Sequence, residues 1–133
     1  MQAFRDAVAR GDLEAVAALL AEDVRFTSPV AYRPYQGRDI TLAILGAVMR
    51  VFSDFRYVRE IGSDGPDHVL VFEARVGERA IQGCDLLHVD DQGQIDDFVV
   101  MVRPLSAAQA LAAAMAEQFD RIDREVGVGR ETH

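Results

Sequence analysis

The chain has 133 residues, half of them hydrophobic, with 14 basic and 22 acidic residues and a net charge of −8. That length suffices for one domain with a core of its own, and the acidic balance disfavours nucleic acid and anionic membranes, whose charge calls for a basic footprint. No apolar run approaches a membrane span and the opening MQAFRDAVARGD is amphipathic, so a cytoplasmic protein is expected; the single cysteine, Cys84, rules out an internal disulfide.

In chain order, Phe4 and Val8 mark one face of a short helix from Gln2 to Ala9. Gly11 ends it, and Asp12 is placed to cap a second helix, Leu13 to Ala21, with Leu13, Val16, Ala17 and Leu20 as its apolar stripe. Val24 to Ser28 alternates as a strand that Pro29 stops, and Ala31 to Gly37 reads as an irregular loop. Arg38 to Phe52 has the spacing of a third helix. Phe55 to Ile61 and Asp67 to Val76 read as strands around a loop at Gly62 to Pro66. A Gly77-Glu78 hairpin turn then sets Leu70 opposite Asp85, Phe72 opposite Gly83 and Ala74 opposite Ile81. After Pro104, Ser106 with Gln109 reads as a capping box for a last helix of about 106–124, whose face is Leu111, Ala112, Met115, Phe119 and Ile122. Gly127 to His133 is expected to fray.

The stretch from Arg79 to Arg103 carries the sharpest clue. Ile81, Gly83, Asp85, Leu87 and Val89 share one face of a strand, so an ionisable acid sits among aliphatic side chains. Asp91-Gln92-Gly93 makes the turn, and Phe98, Val100 and Val102 form an apolar face on the return strand. Such an acid is costly unless paired, neutralised or used. Cys84 and His88 alternate to the opposite face, with Glu73, Arg75 and Gln82.

DLEAVAALLAEDVRFTSP, the loop ending YQGRD, and CDLLHVDDQGQIDDFVV resemble the SnoaL-like branch of the nuclear transport factor 2-like superfamily, the ketosteroid isomerase fold. The resemblance covers about residues 2–105 and implies an α+β cone. In that fold a curved antiparallel sheet packs on three helices of the N-terminal half around an apolar pocket, here with a further C-terminal helix and one domain over 1–133. Asp85, eight residues before Gly93, stands where ketosteroid isomerases keep a protonated oxyanion-hole aspartate. Their general base corresponds to Ser28 and their oxyanion tyrosine to Phe4, while the second aspartate of limonene epoxide hydrolases corresponds to Val100. Two of three isomerase groups are therefore replaced. The fold hosts isomerases, cyclases, dehydratases and non-catalytic binders alike, so function has to be argued from the site.

The expected function is binding of a small apolar organic molecule, with cofactor-free isomerase, cyclase or dehydratase chemistry on Asp85 as proton donor or acceptor. The alternative is a non-catalytic ligand-binding or dimerisation module, with Asp85 a structural hydrogen-bond partner of a tyrosine or arginine. Ser28, Tyr32, Tyr57, Phe72, Leu87, Phe98 and Val100 are the candidate ligand contacts, and Tyr35 can also reach a pocket. His68 is expected at a strand edge, and no histidine or carboxylate spacing fits a metal. A homodimer through the outer sheet face is the expected assembly.

Overall fold

The structure is a computed structural model and describes residues 1–62 and 64–126, with the side chains of 120–126 excepted. The expectations for Ile122 and for 127–133 fall outside that range. Helix α1 (Gln2–Arg10) ends at Gly11, whose φ of 67° is the left-handed conformation that glycine adopts freely. Asp12 accepts from the Ala15 N–H at 3.1 Å and caps α2 (Leu13–Leu19). Strand β1 (Leu20–Thr27) follows at once, so Leu20 and Ala21 are extended where a helix was expected. Local propensity for helix yields there to pairing with the last strand: Leu20 lies beside Ile95.

The loop after β1 contains a two-residue strand, β2 (Tyr35–Gln36), paired with Arg25 and Phe26. Helix α3 (Arg38–Val51) buries Thr41, Ala43, Ile44, Gly46 and Ala47. Strands β3 (Phe52–Ile61), β4 (Asp67–Val76), β5 (Arg79–Val89) and β6 (Ile95–Arg103) form an antiparallel meander. The β4–β5 register has Leu70 opposite Asp85, Phe72 opposite Gly83 and Ala74 opposite Ile81, as the turn residues require. Helix α4 (Leu105–Val126) starts one residue before the expected cap at Ser106.

The sheet order is β2-β1-β6-β5-β4-β3. It is antiparallel except that β1 and β6 run parallel, which makes the curved sheet of this α+β cone mixed rather than wholly antiparallel. The helices lie on the concave side. Phe98 of β6 is the hub of their packing: its ring meets Phe4 of α1 at 5.7 Å and Phe26 of β1 at 5.2 Å, both edge to face. Arg5 of α1 reaches Glu60 of β3 at 3.0 Å and fixes the helix over the sheet's far side. His68 differs from expectation. Strand β4 is interior to the sheet, so His68 is buried, and its Nδ1 has no hydrogen-bond partner among the described residues. No helix among the described residues is long and apolar enough to cross a membrane.

Candidate functional site

A cavity of ≈ 340 Å³ lies between the concave sheet face and helices α1, α3 and α4. Its deep wall is aromatic. Phe55 stacks on Phe72 with centroids 5.0 Å apart and on Phe52 at 5.9 Å, and meets the Tyr57 ring edge-on at 5.0 Å. This cluster depends on irregularity in β3: the β3–β4 register shifts between Ser53 and Arg56, and Asp54 takes a φ of 53°. That shift lets Phe52, Phe55 and Tyr57 all line one cavity although strict alternation would separate Phe52 from Phe55. Helix α4 supplies the opposite wall through Leu111, Met115 and Phe119.

Asp85 stands among these residues and is only 5% exposed. Its Oδ2 accepts a hydrogen bond from the Tyr57 hydroxyl at 2.8 Å. Burial raises the carboxyl's pKa to about 7, and the Tyr57 hydrogen bond, which favours the ionised form, offsets part of that rise. The Tyr57 phenol moves up as well, from burial first and then from the neighbouring Asp85 charge. Near neutrality Asp85 therefore divides between acid and carboxylate, a state suited to giving or taking a proton. Tyr57 occupies Oδ2 and holds the group in one orientation, which leaves Oδ1 for a ligand.

Ser28 also lines the cavity. Its Oγ accepts from the N–H groups of Val30 at 3.4 Å and Ala31 at 3.1 Å, so its own hydrogen remains to be donated. No base is hydrogen-bonded to this hydroxyl among the described residues, which disfavours a nucleophilic serine. Among the described residues no group of three or more His, Cys, Asp or Glu side chains could hold a metal ion.

Of the candidates read from sequence, the fold gathers Asp85, Ser28, Tyr57, Phe72, Phe98 and Val100 around this cavity. Val100 is the direct cross-strand partner of Asp85. Tyr32 and Leu87 stand apart. Tyr32 is 98% exposed because the turn built on Ser28 carries the loop outward, and Leu87 packs opposite Phe98 in the core. The sequence reading missed Phe52, Phe55 and Arg10. The apolar identity of Phe52 and Phe55 was visible, but the shift in β3 that aligns them left no sequence signal.

The chain matches the family model for the SnoaL-like domain over residues 1–98. An uncharacterised Silicibacter pomeroyi protein with a cystatin-like fold is 40% identical, with a TM-score of 0.87 over 95% of this chain and 91% of that one. A Pseudomonas aeruginosa protein named as a steroid delta-isomerase is 44% identical, with a TM-score of 0.84 over 89% of this chain and 87% of that one. A nuclear transport factor 2-like protein of unknown function from Mesorhizobium loti shares the fold at 19% identity and a TM-score of 0.69, over 78% and 88% of the two chains. No curated protein matches the chain. With the family pattern running through the first strand, the concave sheet and the strand that carries Asp85, the chain belongs to the SnoaL-like domain family.

Proposed function

We propose that this protein binds an apolar organic molecule bearing a carbonyl-type hydrogen-bond acceptor and moves a proton on it through Asp85, without a cofactor. The observation that carries the reading is a buried carboxyl group, tuned to near neutrality, at the aromatic end of a largely apolar cavity. The simplest reaction for one such group is a proton shift. Ionised Asp85 takes an acidic C–H proton beside the carbonyl and returns the same proton to another carbon of the conjugated system. Isomerisation is then balanced with no second base, in keeping with a serine at position 28. The similarity to a protein named as a steroid delta-isomerase supports this class of chemistry.

The test is turnover of a panel of β,γ-unsaturated cyclic ketones by the wild-type chain and by Asp85→Asn. The expected result is a loss on the order of a hundredfold or more in kcat, with ligand binding retained. Binding without turnover in the wild type would instead establish a non-catalytic binder.

A second reading, a dimerisation module, draws on the outer sheet face, and it is compatible with the first. Two adjoining cross-strand rows there are apolar, Val69–Leu86–Val99 and Val71–Cys84–Met101. On one side lies an acidic row, Asp67–His88–Asp97, and on the other Arg56–Glu73–Gln82–Arg103. A two-fold axis lying in the interface, along these rows and between the apolar pair, sets each copy's Asp97 against its partner's Arg103 and the apolar rows against each other. This reading is a homodimer through the outer face, supported by the apolar rows and the charges that flank them. A monomer in sedimentation velocity at micromolar concentration would refute it.

A further inference from the structure

The cavity has one charged group besides Asp85 among its lining residues, Arg10. The two occupy opposite environments. Asp85 is buried, whereas the Arg10 side chain is 59% exposed, in the last turn of α1 just before the chain reverses at Gly11. Gly11 also lines the cavity, and a β-carbon there would have no neighbour within 4 Å, so this corner is open. The arginine thus marks the mouth and the aspartate the floor.

Arg10 forms an ion pair with Asp12 and keeps hydrogen-bonding capacity to spare. Its nearest carboxylate, Asp12, lies at 3.6 Å, beyond hydrogen-bond length, and the other oxygen of Asp12 is engaged in capping α2. A guanidinium has five N–H donors in a planar fork that matches a carboxylate. Between Arg10 and Asp85 the walls are almost wholly apolar, with Val8, Phe4, Phe26 and Phe98 on the α1 side. An all-hydrocarbon ligand would make no use of this cation at the rim.

We infer that Arg10 forms a carboxylate subsite at the cavity mouth, so that the ligand is an amphipathic keto acid: an apolar ring system with its carbonyl toward Asp85 and an anionic end at Arg10. The inference rests on the proposed reading of the cavity as a ligand site. It also gives an acidic protein a local cation with which to capture an anionic ligand.

The experiment is isothermal titration of the full chain with β-naphthoylpropionate and with its methyl ester, repeated for Arg10→Gln and Arg10→Lys. The wild type is expected to bind the acid roughly fivefold more tightly than the ester, a preference that weakens as salt is added. Arg10→Gln should equalise the two ligands, and Arg10→Lys should keep part of the preference. Equal affinities in the wild type, or a preference that survives Arg10→Gln, would overturn the subsite while leaving the cavity reading intact. Failure of both ligands to bind the wild-type chain would remove the cavity reading and the subsite with it. Matching melting curves for the three proteins confirm that the comparison is between folded chains.

Discussion

Phe72 lies directly against the backbone of Gly83, its cross-strand partner: a β-carbon at Gly83 would collide with Phe72 Cζ and stand 2.6 Å from the Met101 carbonyl oxygen. The bare glycine lets the Phe72 ring lie down beside Asp85 and form the aromatic floor of the cavity. Gly83→Ala should therefore destabilise the protein by about 1–3 kcal/mol, read as a fall in the urea midpoint. Adding Phe72→Leu should recover only part of the loss, because the Met101 carbonyl is backbone and cannot turn aside. Full recovery would show that the ring alone sets the constraint.

Tyr57 restrains Asp85 chemically as well as sterically. Its hydroxyl favours the carboxylate, so Tyr57→Phe should push the Asp85 pKa above its value of about 7. Carbon-detected NMR titration of the side-chain carboxyl, assigned with Asp85→Asn, measures both values. A wild-type pKa near the ordinary 3.9 of aspartate would mean that water reaches the group freely.

Stability should depend on pH with an uncommon sign for a carboxylate. Unfolded Asp85 titrates near 3.9 and folded Asp85 near about 7. Between those values the folded state binds more protons, so stability falls as pH rises from about 4 to about 7 and is level above that. The whole change is at most about 4 kcal/mol. His88 acts in the same direction: its hydrogen bond to Asp96 raises its pKa, and that contribution disappears as pH rises through the folded value. Asp85→Asn removes the first effect and keeps the second. Chemical denaturation at pH 5 and pH 8 should show the variant gaining on the wild type at the higher pH.

The outer face gives a prediction of its own. Met101 is 55% exposed at the end of an apolar row, and Met101→Glu would set a carboxylate within the proposed two-fold interface. The expected outcome is a shift to monomer in sedimentation velocity with an unchanged melting temperature at high dilution.

Much of this arrangement could be read from residues alone. The Gly77-Glu78 turn fixed the β4–β5 pairing residue by residue, and with it the inward placement of Asp85. The glycine and cap at Gly11 and Asp12 marked the α1–α2 corner. Legibility failed where tertiary contact overrode local preference. Leu20 and Ala21 belong to good helix formers yet pair as a strand, and the β3 shift that gathers Phe52 and Phe55 has no compositional mark. Tyr32 failed for another reason: lying in sequence between Val30 and Tyr35, which line the cavity, says nothing about which way a turn throws the side chain.

The parallel pairing of β1 with β6 has a consequence for the order in which the site comes into being. Strand β1 is made early and meets the two-residue β2 soon after, but its long neighbour β6 comes only when residues 95–99 have followed. A chain that has reached Arg103 can assemble all six strands, yet the wall formed by Leu111, Met115 and Phe119 is still missing. Until that wall arrives water stands over the floor of the cavity, and burial is what lifts the acidity of Asp85 away from that of an ordinary aspartate. The raised pKa of Asp85 thus depends on a helix that is made only after the whole sheet.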